Sequence, residues 1–328
     1  MIKLTEQEII KNWHGDICIP LVSVCTVTYN HEAFIAETIE SFLMQKTTFP
    51  FEVIIDEDCS TDGTANIIRQ YREKYPTIIK ANLREKNVGA MQNSSDNLLR
   101  AKGKYIAWCE GDDYWTDSLK LQKQVDFLEK NPLYYGCFHD CMRIYEGDNK
   151  NKKQHLRIGN RKIAEDVDLA SIIDENNIAT ASIIFRNFTK EMPKSFQKSS
   201  KGDYALMVTI AEKGNIKYLN EVMSAYRIHS GGIWSSRSEI SKEEESVHFY
   251  HLLQEYFVNN KNILNALSKK LKYTYYTLAR KLVYDKQRLK SLYYLVLSLD
   301  FRKNKYPKIK YSHYFKELVR SFVKKNIH

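Results

Sequence analysis

Four consecutive residues, Glu110-Gly111-Asp112-Asp113, place three carboxylates directly behind the apolar run Lys104-Tyr-Ile-Ala-Trp-Cys109. Carboxylates held this close raise one another's pKa unless a cation neutralises them. Hard oxygen ligands suit Mg2+ or Mn2+, ions that commonly keep waters and bridge substrate phosphates. The chemistry within reach is metal-assisted departure of a diphosphate, the ion taking up charge as it develops. The same residues would also serve as a solvated turn capping a helix that begins near Asp117 or Ser118. A second acidic turn, Asp56-Glu-Asp58, leads into Ser60-Thr-Asp-Gly-Thr64 and has an equally ordinary use in turn formation. The first strand ends in Tyr29-Asn30-His31 with no Gly-x-Gly-x-x-Gly behind it, so a dinucleotide fold is excluded and phosphate would have to be held by metal.

Alternating strands and helices must position these clusters. Pro20 to Thr28 is a continuous apolar run of the kind buried in a parallel sheet. Phe51 to Ile55, Ile78 to Leu83 and Lys104 to Cys109 repeat that signal. Amphipathic helices fall between them, marked by Ile35, Ile39, Phe42 and Leu43, by Ile67, Ile68 and Tyr71, and by Leu98 and Leu99. Short connections between such units predict an α/β fold with an open, mostly parallel central sheet covered by helices. Ligands of these sheets bind beyond the carboxyl ends of the strands. That rule sets Tyr29-Asn30, Asp56-Glu-Asp58 and Glu110 to Asp113 on one rim. Further on, a helix is expected from Ser118 to Lys130 and a strand from Tyr135 to Tyr145. A polar excursion follows from Glu146 to Lys162, then a strand from Ile178 to Phe185 and a helix after Gly202-Asp203-Tyr204. Short strands are expected at Asn215 to Leu219 and Val222 to Arg227.

The chain has 328 residues, enough for one large or two ordinary domains. No apolar run reaches the roughly 18 residues that span a bilayer, and the N-terminus lacks a secretory pattern. The expectation is a soluble cytoplasmic protein. Six cysteines at 18, 25, 59, 109, 137 and 141 are scattered and sit in strand-like runs, so they read as small hydrophobes and imply no disulfide. Cys137-Phe-His139-Asp140-Cys141 lacks a second ligand pair for zinc.

The net charge of +10 belongs to the tail: from Lys261 onward there are 18 Lys or Arg against 3 Asp or Glu. Residues 236–328 are expected to form a helical basic region. Basic and aromatic residues interleaved on helices suit an anionic membrane surface, while a dimerisation module, giving a homodimer, is the bland alternative. No motif supports nucleic acid as a partner.

With the motifs in order, the chain resembles the family 2 glycosyltransferases. The resemblance is carried by Pro20-Leu-Val-Ser-Val-Cys-Thr-Val-Thr-Tyr-Asn30, Ile54-Ile-Asp-Glu-Asp-Cys-Ser-Thr-Asp-Gly-Thr64, Asn87-Val-Gly89 and Ala101 to Asp113. It implies a GT-A catalytic domain over residues 1–235, a nucleotide-sugar donor and inverting transfer by direct displacement. UDP is the nucleotide favoured by frequency in the family, and a glycan or lipid-linked acceptor of a bacterial surface polysaccharide is implied by analogy. By position, Asp58 would bond the nucleotide base, with Val27, Tyr29 and Asn30 lining that end. Asp113 would be the closest contact of a Mg2+ or Mn2+ ion, and Asp112 would hold ribose or metal. Glu110 replaces a common Asp and lengthens its reach. Relatives have an arginine where Ser94 stands here, so how that part of the donor is held is left open.

An inverting transfer needs a base for the acceptor hydroxyl. Periodicity makes Asp203 a helix N-cap, whereas the resemblance makes it that base. Tyr226-Arg227-Ile-His229-Ser-Gly-Gly-Ile-Trp234 resembles the segment closing the family's catalytic domain, where Arg227 would touch the donor diphosphate and His229 the metal or the diphosphate. Gly231 and Gly232 would let Trp234 swing as a lid. Trp115 is a candidate sugar floor or a core residue, and His139 and Asp140 are candidates for the acceptor cleft. Two other readings of the same residues are a nucleotide-sugar-binding protein without turnover and a nucleotidyltransferase, which would release pyrophosphate.

Overall fold

The computed structural model describes residues 4–145, 153–154, 164–191, 201–232, 237–285, 287–299, 314 and 316. Trp234, and with it the expected lid, lies outside the described residues, as does most of the polar excursion. The chain divides into two compact units. One comprises Met1–Ile172 with Asn176–His229, the other Ile173–Glu175 with Ser230–His328.

The first unit opens with a short helix α1 (Glu6–Ile10), whose N-cap Thr5 and Glu8 satisfy each other's backbone in a capping box. Strands and helices then alternate as β1 (Val22–Thr28), α2 (Ile35–Leu43), β2 (Phe51–Glu57), α3 (Thr64–Lys74), β3 (Ile79–Leu83), α4 (Ala90–Leu99) and β4 (Tyr105–Trp108). All seven residues of β2 and six of seven in β1 are buried, as a strand covered on both faces requires. Helix α2 buries Ile35, Ile39, Phe42 and Leu43, the stripe its spacing foretells. After β4 come a short β5 (Tyr114–Trp115), α5 (Lys120–Lys130), β6 (Gly136–Tyr145), β7 (Lys153–Gln154), β8 (Asp166–Val167), α6 (Leu169–Asp174), β9 (Ile184–Arg186), α7 (Gly202–Lys213) and β10 (Ile216–Ile228). Helix α7 buries eight consecutive residues, Tyr204 to Ala211, and so is enclosed all round over that stretch.

The main sheet runs β3-β2-β1-β4-β9-β6-β10-β5. Its first half is parallel, β1 pairing with both β2 and β4 and β2 with β3. The expectation of a mostly parallel sheet is corrected beyond β4. There β9 inserts antiparallel between β4 and β6, and β5, β7 and β8 also pair antiparallel, leaving β6 with β10 as the other parallel pair. The fold is α/β with a mixed sheet flanked by helices. The strand expected from Ile178 shrinks to Ile184–Arg186, because Thr180–Ser182 coil into a 3-10 turn. The two short strands expected between 215 and 227 are one long strand, its register shifting twice between Leu219 and Ser224.

The second unit is helical: α8 (Glu239–Tyr256), α9 (Lys261–Tyr284) and α10 (Arg288–Ser298). Helix α9 buries Leu267, Leu271, Leu278 and Leu282 at helical spacing. Ser238 and Asn260 cap α8 and α9 through their side-chain oxygens.

Candidate functional site

Beyond the carboxyl ends of β1 and β4, two loops lie against each other. The Gly111 N–H donates to the Val27 carbonyl at 2.9 Å, and the Thr38 hydroxyl of α2 donates to the carbonyls of Gly111 and Asp113 at 3.0 and 2.7 Å. A methyl group on Gly111 would come within 2.6 Å of Thr28 Oγ1 and 3.1 Å of His31 Nδ1. The glycine is what lets the acidic loop press on the end of β1.

This contact brings His31 to the acidic loop, and the end of β10 brings His229. One ligand atom from each of His31, Asp112 and His229 falls within 4.8 Å of the others. His229 Nε2 is 3.0 Å from Asp112 Oδ2, and His31 Nε2 is 3.8 Å from the same oxygen. The Thr28 hydroxyl lies 3.1 Å from His31 Nδ1 and orients its ring. Burial works against ionisation of Asp112, but the hydrogen bond from His229 and the two imidazoles outweigh it and hold its pKa below the usual range. Burial lowers the pKa of His31, with Asp112 opposing. Two imidazoles and one carboxylate within reach of one another are a donor set that fits a divalent transition ion.

Asp113, expected as the closest metal contact, is turned elsewhere. Its Oδ1 accepts the Arg227 backbone N–H at 2.9 Å, and Oδ2 is sealed without a hydrogen-bond partner. Burial, then repulsion from Asp112 and Glu110, raises its pKa well above the carboxylate range. The side chain joins β10 to the loop and is not part of the Asp-His cluster. Glu110 accepts from the Trp108 indole at 2.8 Å and the Thr180 hydroxyl at 2.5 Å, and loss of water raises its pKa to about 7. Arg227, expected at the diphosphate, is buried: it donates to the Asp112 carbonyl, pairs with Glu37, and lies over the rings of Tyr114 and Phe34 at 4.3 and 5.2 Å. It supports the loop from beneath.

The turn after β2 spends its carboxylates on the protein. Asp56 faces away from the rim and accepts from Asn82, Asn97 and Arg100, the last at 2.8 Å. Glu57 accepts the Ser60 N–H. Asp58 accepts the N–H groups of Val88 and Gly89 at 2.8 and 2.9 Å, fastening the loop that opens α4. At the rim beside it, Tyr29 is exposed and Val27 half-buried. Asn30 takes a left-handed backbone, φ 55°, and its side chain accepts the Thr61 N–H. Ser94 carries no guanidinium, but one reaches α4 from the end of β3. Arg84 donates to Asn93 at 2.7 Å and to Asp96 at 2.6 Å.

Asp203 occupies the first turn of α7 with its side chain exposed, accepting the Tyr204 N–H. A methyl group on Gly202 would collide with Met91 in the first turn of α4, so the head of α7 meets the loop held by Asp58. Burial, then the charges of Asp113, Glu110, Asp112 and Asp203, raise the pKa of Tyr226. The head of α7 thus lies against the loop that Asp58 fastens.

Other candidates belong to the core. Trp115 is buried, donating to the Ala181 carbonyl, and is no sugar floor. His139 and Asp140 are buried in β6, the first bonded to the Asp140 carbonyl and the second accepting from Tyr218. All six cysteines are free. His31 is the site residue that sequence reasoning missed. Its signal was its place, three residues past the last residue of β1 on the ligand-binding rim.

An α/β fold whose mixed sheet, flanked by helices, carries a carboxylate-imidazole cluster beyond its parallel strands has a GT-A-like architecture. The model of the family described as glycosyl transferase family 2 matches residues 23–192, and the chain belongs to that family. It is 40% identical over 217 residues to an uncharacterised protein of Mycobacterium tuberculosis, an overlap that covers 66% of this chain and 61% of that relative. The chain thus spans under two thirds of that relative's length. It is 30% identical over 219 residues to WfaP of Escherichia coli, named a UDP-Glc:alpha-D-GlcNAc-diphosphoundecaprenol beta-1,3-glucosyltransferase, covering 66% of this chain and 81% of that protein. Among solved structures it is similar in fold to S. aureus TarS 1-349 in complex with UDP-GlcNAc. The TM-score is 0.62 at 19% identity, over 84% of this chain and 79% of that one.

Proposed function

We propose that this chain transfers a sugar from a UDP-linked donor to a hydroxyl of a glycan or lipid-linked acceptor, inverting the anomeric carbon, in assembly of a bacterial surface polysaccharide. The observation that carries this reading is the cluster of His31, Asp112 and His229 beyond the carboxyl ends of the parallel strands β1 and β4. Support for UDP comes from the printed names of two similar proteins, the glucosyltransferase acting on UDP-Glc and the structure holding UDP-GlcNAc.

Each residue has a role in this reading. Val27, Tyr29, Asn30 and Asp58 border the nucleoside end. A divalent cation held by Asp112, His229 and His31 would supply counter-charge for the departing diphosphate. Two imidazoles in the donor set favour Mn2+ over Mg2+. Asp203 accepts the proton of the acceptor hydroxyl, whose oxygen forms the new bond to the anomeric carbon. The bond to the diphosphate breaks as it forms, and the nucleoside diphosphate leaves with the electron pair. Asp113 and Arg227 hold Asp112 in place from the buried side.

The test is UDP release from a panel of UDP-sugars with and without Mn2+. Asp203→Asn should lower turnover by about 10²- to 10⁴-fold, the usual contribution of a general base, while Mn2+ binding stays intact. Release of pyrophosphate would point to a nucleotidyltransferase. Donor binding without turnover by the unaltered chain, across a range of acceptors, would leave a binding protein.

A further inference from the structure

Helix α10 carries an apolar face turned to solvent. Leu289, Leu292, Tyr293, Val296 and Leu297 are between 36% and 85% exposed. Their spacing of three, four, seven and eight residues from Leu289 puts them on one stripe about 140° wide. The opposite face is occupied: Ser291, Leu295 and Ser298 are buried, and Ser291 Oγ donates to the Ala279 carbonyl of α9 at 2.7 Å. At 100° per residue Arg288 and Lys290 fall on the two flanks of the stripe, Lys290 reaching Glu244 of α8. Tyr284, at the end of α9, is a further exposed aromatic. Beyond position 260 the sequence holds 18 basic residues against 3 acidic ones, and acids of α8 pair with Lys281 and Lys290.

We propose that this face of α10 docks on an anionic lipid bilayer, lying in the plane of the interface. An apolar stripe flanked by cations on a short helix matches a boundary whose headgroups are negative and whose acyl region begins about 5–10 Å down. Lysine and arginine on the flanks can keep their stems against apolar surface and their charges among headgroups. A second copy of the chain fits less well. An 11-residue helix is roughly 16 Å long, so one face offers on the order of 200 Å2, against about 800 Å2 per partner in a stable interface. Two tails with this charge also repel each other. The proposal is independent of the reading of the Asp-His cluster.

The experiment is flotation of the full chain with phosphatidylcholine vesicles and with vesicles containing 30% phosphatidylglycerol. The chain should float with the anionic vesicles alone, and 0.5 M NaCl should weaken partitioning at least tenfold. The triple variant Leu289→Ser, Tyr293→Ser, Val296→Ser changes only exposed positions and should keep its thermal midpoint while losing at least tenfold in partitioning. Failure to float with anionic vesicles, or undiminished flotation of the triple variant, overturns the proposal. So does a dimer in light scattering that the triple variant splits, which would make a second copy the occupant.

Discussion

The two acidic segments of the first unit carry three carboxylates each at the ends of β2 and β4, the parallel strands on either side of β1, yet they have opposite fates. At the end of β2, Asp56, Glu57 and Asp58 are all taken up by protein donors: three backbone N–H groups, the side-chain amides of Asn82 and Asn97, and the Arg100 guanidinium. After β4, Glu110 and Asp113 are likewise anchored, but Asp112 faces two imidazoles. What separates the turns is the supply of donors. A carboxylate saturated by N–H groups stabilises a loop, whereas one surrounded by Lewis bases is arranged for a cation.

The largest expected effect tests that contrast directly. Asp112→Asn should abolish Mn2+ binding in titration calorimetry and lower UDP release by at least about 10³-fold, near 4 kcal/mol at 1.36 kcal/mol per tenfold, with little change in thermal midpoint. Asp113→Asn should retain Mn2+ binding. Equal loss in both would erase the distinction between the neighbours.

Next is Asp56→Ala. It strips the Asn82 amide of its acceptor, takes one of three acceptors from the Asn97 amide, and removes the carboxylate paired with Arg100, a loss of about 3 kcal/mol. Urea unfolding should show it, with no direct effect on metal affinity. Retained stability would mean that the carboxylates at the end of β2 do not act as a scaffold.

Lys120 sharpens the comparison from the other side, as a buried charge with no acid bonded to it. Its Nζ lacks a hydrogen-bond partner and sits 4.2 Å from the centre of the Trp115 ring. Burial pushes its pKa down to about 8. Between that value and the ordinary lysine value near 10.4, the unfolded chain binds more protons than the folded one, so stability should rise with pH across this window and be lowest below it. Lys120→Met should raise stability at pH 7 by about 3 kcal/mol and flatten that rise in pH-dependent thermal melts. An unchanged slope would place the charge elsewhere.

The smallest effect lies in the turn itself. Cys59 adopts φ 61°, the left-handed region, beside the saturated Asp58. Cys59→Gly should relieve part of the roughly 1–2 kcal/mol that a side chain costs there, shifting the thermal midpoint upward by a few degrees without altering turnover. A downward shift would show that the Cys59 side chain contributes packing that outweighs the backbone strain.

Much of this was open to inspection in the residues. The β-rich runs behind Pro20, Phe51 and Lys104 and the stripe of Ile35, Ile39, Phe42 and Leu43 define the parallel half, because period and burial are local properties of the chain. The place of the carboxylates followed from the rule that ligands bind past strand ends. The antiparallel insertion of β9 did not, since Ile184–Arg186 pairs with strands more than 40 residues away and carries no local sign of direction.

The sequence by itself determined which loops would hold the chemistry, through hydrophobic period and the clustering of like charges. Only the tertiary structure decided that Asp112 and not Asp113 faces the imidazoles, and that His31 stands with them. Both outcomes depend on contacts between β1, β4 and β10, whose residues lie some 80 to 200 positions apart, and no local pattern encodes which side of a loop a carboxylate will turn to.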